Sequence, residues 1–421
     1  MNKKLVISIF IFSAIIRWVS YNYFLSPLIS PADSEQYIAI AKNIVRGNGF
    51  SVDVSEPAFH RAPFLPYLLS ILFWIFEDHW LSVASAVNIF ISSIISVITY
   101  FTAMRIIDNN RLIFYSEKET IAIIASLFFA INPVSIFWSG FILTEPFFLF
   151  FFTLSILYLL KAMDGYDMRY FIICGVFMGL AALTRPVILG VIPFIILWII
   201  LKTRNETLGF RNMNILIIIL FFILTILPWS IRNFLNSGEI IPITSEGHHN
   251  LIQGLTEDPE TLKVIPLFTQ GEEKDLRNSN GWEYMRLEKK RLIEYIFSHP
   301  GDILRLMFKK IFLFWSVVPE VERAELRSFF SIKIFMALWT LYSISIYILA
   351  LYGFFSFKNK NDFMLIIFIM ISFTIMHMFF LVVPEKRFRL PLEPYLVILA
   401  SIGVSSLRKM FKGLIQSDCS L

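Results

Sequence analysis

Residues 170–201 read YFIICGVFMGLAALTRPVILGVIPFIILWIIL, and Arg185 is their one charge. The run is too long for one membrane span of roughly 20 residues and short for two. Broken at Arg185-Pro186, each half holds about 15 residues, or roughly 22 Å of helix. The hydrocarbon core of a bilayer is about 30 Å thick. If both halves start at the inner face, Arg185 sits below the outer surface. An arginine recessed in a membrane is costly unless it is paired or faces a wet cavity. Otherwise its long stem must snorkel to the headgroups. The stretch therefore reads as two short membrane helices with an ionisable residue at their junction.

The same reading extends outward. Further apolar runs cover Leu5–Leu25 and centre on 81–104, 120–138, 143–160, 214–231, 333–355, 363–382 and 391–407. With the two halves above, about ten spans are expected. The first run has no small-x-small cleavage site after it, so it is taken as a retained span rather than a signal peptide. Composition agrees. Of the 421 residues 57% are hydrophobic and only 16% charged, against about 25% charged in a soluble domain. With a mean hydropathy of +0.68, a soluble enzyme and a disordered chain are both excluded. The net charge of +5 comes with no basic stripe interleaved with aromatics, so nucleic acid is not an expected partner. Cys174 and Cys419 form neither a disulfide framework nor a metal spacing. The fold class is all-α, a polytopic membrane protein in one integral-membrane domain over 1–421.

Lysines and arginines of the short loops set the orientation. With Lys3 and Lys4 inside, the other inside segments hold Arg105, Arg111 and Lys118; Lys161 and Arg169; Lys202, Arg204 and Arg211; Lys358 and Lys360; and Arg408, Lys409 and Lys412. Both termini are then cytoplasmic, and for a bacterial source the membrane is the plasma (inner) membrane. Segment 384–390 breaks the rule, since Lys386, Arg387 and Arg389 fall outside. Two outer loops are long, 26–80 and 233–332. In the first, Ser30-Pro31 opens a helix whose Tyr37, Ile40, Ala41 and Ile44 share a face, and Pro63–Phe76 forms a second helix. In the second, helices are expected over 282–298 and 302–316. The latter has Leu304, Met307, Ile311 and Phe314 on one side and Arg305 and Lys309 on another. Such helices lie at the lipid surface. No fixed-period repeat is present, which argues against an inverted-repeat transporter.

Ionisable residues at the outer span ends are the candidates for chemistry. Asp33 and Glu35 follow span 1 and could take a proton from a hydroxyl, hold a cation, or simply complement a helix N-terminus. Glu145, in Leu143-Thr144-Glu145-Pro146, either opens a span or faces a cavity. Arg232 ends a span. Lys386, Arg387 and Arg389 suit a phosphate at the membrane surface, or a solvated turn touching lipid headgroups. His248-His249 is a weak metal pattern, because neighbours in sequence do not share a helix face. Arg17 and His377 are ionisable residues within spans.

Six segments then line up in order: Asp33-Ser34-Glu35-Gln36-Tyr37 through Gly47-Asn48-Gly49-Phe50, Arg61-Ala62-Pro63-Phe64-Leu65-Pro66, Thr144-Glu145-Pro146, Leu183-Thr184-Arg185-Pro186, Pro228-Trp229-Ser230-Ile231-Arg232-Asn233, and Arg387-Phe388-Arg389-Leu390-Pro391. In this the chain resembles the C-type integral-membrane glycosyltransferases, family 39 and its bacterial relatives. These include protein O-mannosyltransferases and aminoarabinose transferases that modify lipid A. The resemblance implies a polyprenyl-phosphate sugar donor, catalysis on the non-cytoplasmic face and a catalytic acid at Asp33, with Glu35 or Glu145 assisting. Arg61, Arg185, Arg232, Lys386, Arg387 and Arg389 become candidate ligands of the donor phosphate or sugar. Against the family's pattern, no large soluble C-terminal domain is expected from these 421 residues, so acceptors that dock on one are not expected.

The residue types fit this chemistry on their own. Loss of the sugar turns a phosphodiester into a monoester whose second pKa is about 6, so negative charge grows in the transition state. Fixed guanidiniums stabilise it, and a carboxylate deprotonates the attacking hydroxyl. An acid from the first outer loop and cations from later ones predict inversion at the anomeric carbon. The acceptor is a lipid, glycan or protein hydroxyl, with membrane lipids around it. The sequence points to no particular cofactor and leaves metal dependence open: the carboxylates could hold a divalent cation, though no cage is visible. A flippase, exporter or polymerase of lipid-linked sugars explains the spans equally well and the two long outer loops less well.

Overall fold

A computed structural model of the chain describes residues 3–22, 32–54, 56–108, 115–258, 261, 263, 267–268, 281–318, 329–356, 360–380 and 386–418. Ser30-Pro31, Arg111, Lys358, Pro384-Glu385 and Cys419 lie outside the described residues. In chain order the helices are α1 (Lys3–Ser20), α2 (Ala32–Val45), α3 (Phe64–Phe76), α4 (Trp80–Asp108), α5 (Tyr115–Ala130), α6 (Pro133–Trp138), α7 (Glu145–Gly165) and α8 (Met168–Thr184). After a 3₁₀ turn at Pro186–Gly190 come α9 (Ile192–Lys202), α10 (Leu208–Ser237), α11 (Glu246–Thr256), α12 (Gly281–Ser298), α13 (Pro300–Trp315), α14 (Phe329–Ser356) and α15 (Lys360–Phe380). A second 3₁₀ turn, Lys386–Leu392, leads into α16 (Glu393–Asp418). No strand occurs among the described residues.

Among the described residues six helical stretches are long and apolar enough to cross a membrane: Phe64–Ile107, Glu145–Gly165, Leu208–Ser237, Lys333–Ser356, Phe363–Phe380 and Lys386–Phe411. The difference from ten has physical causes. Arg185-Pro186 cuts one apolar run into two short helices, Met168–Thr184 and Pro186–Lys202. α5 has Glu117, Lys118 and Glu119 near its start, and α1 carries Lys3, Lys4 and Arg17. The helix expected over Pro63–Phe76 runs on with α4 as one apolar length of 44 residues.

α7 is apolar all round, as a helix packed on every side should be. It buries Phe147, Phe148, Phe152, Ile156 and Leu159, and it packs between α4 and α8. α4 turns Ser92, Ser93, Ser96, Thr99 and Thr102 inward, so small polar groups face protein instead of lipid. Ser96 shares a 2.9 Å hydrogen bond with Ser13 of α1. Arg17 is fully buried there. It donates to the Ala130 carbonyl at 3.0 Å and to Ser135 Oγ at 2.8 Å, a rivet between α1 and the α5–α6 junction. α14 and α16 touch backbone to backbone at Gly353 and Gly403, where a Cβ on either would strike a carbonyl of the other helix. These contacts leave one end of α2, α7, α8, α11 and α15 gathered around a common space.

Candidate active site

That space is a cavity of about 550 Å³. Its charged wall is built from six side chains that come from six separate segments. Asp33 lies in the first turn of α2, Glu145 begins α7 and Glu246 begins α11. Each carboxylate thus sits at a positive helix end. The guanidiniums come from places where the helix is broken. Arg61 stands in the loop before α3, Arg185 at the end of α8, and Arg387 in the turn Lys386–Leu392. Arg185 has extended backbone, φ −147° and ψ 120°, which a residue preceding proline favours. The sequence so stops α8 and turns the arginine aside.

The ion pairs form a chain. Asp33 accepts from Arg61 Nη2 at 2.9 Å through Oδ1 and from Arg387 Nη2 at 3.0 Å through Oδ2. Arg61 Nη1 reaches Glu246 at 2.9 Å, and its Nε reaches Gln36 at 2.7 Å. Glu145 Oε1 pairs with Arg185 Nη1 at 2.5 Å and lies 3.5 Å from Arg387 Nε. Each guanidinium also has an aromatic face against it. Arg61 lies over Tyr37 at 5.3 Å, Arg185 over Phe388 at 5.2 Å, and Arg387 over Trp138 at 5.6 Å. Planar cations held in this way are oriented as well as charged.

Burial and charge act against each other at these groups. Burial pushes the Asp33 carboxyl up, but Arg387, Arg61 and Arg185 outweigh it and hold Asp33 below the usual carboxylate range. At Glu246 burial prevails over Arg61, and the neighbouring Asp33 adds to it, so this carboxyl is raised. Burial and Arg61 together push His60 down. Burial lifts the Tyr37 phenol to about 12.

Of the residues singled out in the sequence, Asp33, Arg61, Glu145, Arg185, His377 and Arg387 line the cavity. Glu35 does not, since two residues beyond Asp33 it faces outward and is exposed. Arg232 does not either. It donates to the Phe50 and Ala58 carbonyls at 3.1 and 3.0 Å and lies 4.7 Å from the Trp229 ring. It fastens the loop that leads to Arg61. Lys386 and Arg389 turn away because residues three apart share a face in a 3₁₀ turn. Lys386 donates to the Leu313 carbonyl at 2.9 Å. Arg389 pairs with Glu393 at 3.1 Å and donates to the Ser316 carbonyl at 2.9 Å. Arg387, between them, faces the cavity.

Glu246, Tyr37, Asn250 and Gln253 also line the cavity without having been singled out. Glu246 follows Ser245 at the start of a helix, a faint signal in a polar loop. His248 meets Glu288 at 3.2 Å. Among the described residues no three His, Cys, Asp or Glu side chains gather as metal ligands.

Residues 60–231 match the family model for dolichyl-phosphate-mannose-protein mannosyltransferase. No curated protein sequence matches the chain. Among solved structures, the apo oligosaccharyltransferase of Archaeoglobus fulgidus is 15% identical with a TM-score of 0.58, over 99% of this chain and 52% of that one. The oligosaccharyltransferase AglB of Archaeoglobus fulgidus in complex with an inhibitory peptide and a dolichol-phosphate gives 16% and 0.57, over 99% and 52%. ArnT from Cupriavidus metallidurans bound to undecaprenyl phosphate gives 13% and 0.49, over 100% and 64%. The chain spans about half the length of the oligosaccharyltransferases it matches. The ordered motifs thus meet a family match over 60–231 and a fold match over nearly the whole chain, and the protein is an integral membrane protein with the C-type glycosyltransferase fold.

Proposed function

We propose that the protein transfers a sugar from a polyprenyl-phosphate donor to an acceptor hydroxyl at the non-cytoplasmic membrane face, with inversion at the anomeric carbon. The observation that carries this reading is the convergence of Asp33, Glu145, Glu246, Arg61, Arg185 and Arg387 on one cavity. The dolichol-phosphate held by the related archaeal structure supports a lipid phosphate as ligand. The basic inner loops support the outer placement of the cavity and cytoplasmic termini, and for a bacterial source the membrane is the plasma membrane.

The charges favour this chemistry in sequence. The three carboxylates and three guanidiniums of the site match in number. A donor phosphodiester adds one negative charge, and it competes with Asp33 for Arg61 and Arg387. As those guanidiniums turn to phosphate, Asp33 loses the charges that depress its pKa and becomes more basic. The acceptor oxygen then attacks the anomeric carbon while its proton passes to Asp33. The bond from that carbon to the phosphate oxygen breaks, and lipid phosphate leaves with its growing charge on the arginines. They hold the charge that grows on the leaving oxygen in the transition state more strongly than the single charge of the donor, as transition-state stabilisation requires. Glu145 keeps Arg185 and Arg387 in place.

The test uses purified protein in nanodiscs and synthetic farnesyl-phosphate sugars. Asp33→Asn protein that still folds is expected to lose about 100-fold or more of the transfer rate. Near wild-type transfer would remove Asp33 from the mechanism. Movement of intact donor across sealed vesicles without bond cleavage would support a lipid-sugar carrier instead.

A further inference from the structure

The cavity has a second, uncharged wall whose make-up is different. Gly254 lets α11 lie directly on α15, since a Cβ there would strike the Phe379 carbonyl. This brings Asn250 and Gln253 of α11 to the same cavity as Phe373, His377 and Phe380 of α15, with Phe148 and Phe388 beside them. His377 is only 7% exposed. Its Nδ1 lies 2.6 Å from the Phe373 carbonyl. A carbonyl can only accept, so Nδ1 carries a hydrogen, and in the neutral imidazole Nε2 is then the acceptor. The ring is held flat against Phe314, with centroids 4.3 Å apart and planes at 24°, and Phe388 closes on it at 5.7 Å. It cannot turn without losing these contacts. No described residue hydrogen-bonds Nε2, although His377 lines the cavity.

We propose that His377 is a specificity residue for the sugar, its Nε2 accepting a hydrogen from one hydroxyl of the donor's glycosyl group. Asn250 and Gln253 supply neutral hydrogen-bonding partners, and Phe148, Phe373 and Phe388 supply an apolar surface for the C–H face of a pyranose. The cavity is then divided by chemistry, with phosphate at the arginines and sugar at the amides and the imidazole. A buried acceptor without a partner rejects a ligand that cannot donate to it, because its own desolvation goes uncompensated. This inference rests on the lipid-phosphate-sugar reading above.

The experiment measures binding, so it needs no turnover. The probes are farnesyl phosphate, farnesyl-phosphate-linked mannose, glucose, galactose and arabinose, and the monodeoxy forms of whichever sugar binds best. His377→Asn keeps a donor where Nδ1 stood and removes the acceptor. His377→Gln puts an amide oxygen near the position of Nε2. Wild-type protein is expected to bind one sugar form better than the other sugar forms, which carry the same phosphodiester charge. His377→Asn should weaken that sugar form by about 5- to 10-fold, the worth of one neutral hydrogen bond, while farnesyl phosphate binding stays unchanged. One monodeoxy form should bind wild type and His377→Asn alike, and His377→Gln should recover most of the loss. Equal weakening of farnesyl phosphate and every sugar form would make His377 merely structural and overturn the proposal. So would a wild-type protein that binds farnesyl phosphate and holds every sugar form equally well. Failure to bind farnesyl phosphate at all would overturn the donor reading first, and this inference with it.

Discussion

Asp33 accepts one guanidinium on each oxygen, Arg61 on Oδ1 and Arg387 on Oδ2, and this sets its response to acid. Its folded pKa is depressed by those cations. A group of this kind adds stability that is present above its unfolded pKa and lost as pH falls through the folded value. The window therefore opens below about pH 4, near the unperturbed value for aspartate. Thermal unfolding in nanodiscs should shift to lower temperature on acidification through that range. Asp33→Asn should make the acid limb shallower. An identical limb in wild type and variant would mean that the pairing contributes nothing to the fold. Glu246 has the opposite sign, because its folded pKa is raised. Its ionised form is disfavoured by folding, and stability linked to it declines as pH rises through the folded value. Two carboxylates sharing Arg61 are thus pushed apart in acidity by their surroundings, Asp33 by a second and a third arginine and Glu246 by burial.

At the scale of elements, α13 joins the two walls of the cavity. The sequence pattern sets Arg305 and Lys309 on a basic face of a lipid-surface helix, but that side is partly turned inward. Lys309 pairs with Asp258 at 2.8 Å, and the buried Lys310 donates to the Gly254 carbonyl at the end of α11. The outer side instead exposes Leu304, Phe308 and Phe312, a face suited to lipid. At its other end the carbonyls of the last turn, which lack a partner within the helix, receive Lys386 and Arg389. One helix therefore ties α11, which carries Glu246, to the turn that carries Arg387. Glu393 holds Arg389 in this clamp and is itself held by Asn132 at 2.8 Å. Glu393 and Arg389 are both nearly inaccessible. Glu393→Ala would strand a buried cation, at a cost of about 3 kcal/mol or more. Hydrogen exchange should rise at 313–318 and 386–392 together, and Glu393→Ala with Arg389→Met should regain much of the stability. Unchanged exchange in the single variant would show that the clamp does not hold the turn.

For the whole molecule, what the sequence discloses depends on how local the cause is. The apolar helices are legible because each satisfies its backbone internally and needs only a run of apolar residues. The break at Arg185-Pro186 is legible because proline constrains its neighbour directly. The six-membered charge cluster is not legible from spacing, since Asp33 and Arg387 meet across 354 positions and such a contact leaves no period behind. Position at the span ends marked Asp33, Glu145, Arg185 and Arg387 one by one, and the ordered motifs, taken as a resemblance, joined them and added Arg61. The same ordering gathered in Arg232 and Arg389, and the basic run at 384–390 added Lys386, because neither signal says which side chain of a turn looks inward. Sidedness is a property of the whole chain, and it is open to a direct test. Asp53 is exposed in the loop that Arg232 fastens beside Arg61, whereas Asn205 is exposed between α9 and α10 at their far ends from Arg185 and Asn233. In a Cys174→Ala, Cys419→Ala background, Asp53→Cys should react with a membrane-impermeant maleimide on intact cells. Asn205→Cys should react only after permeabilisation. The reverse pattern would put the cavity on the cytoplasmic side, and the basic inner loops would then no longer support a lipid-linked donor presented from the outer leaflet.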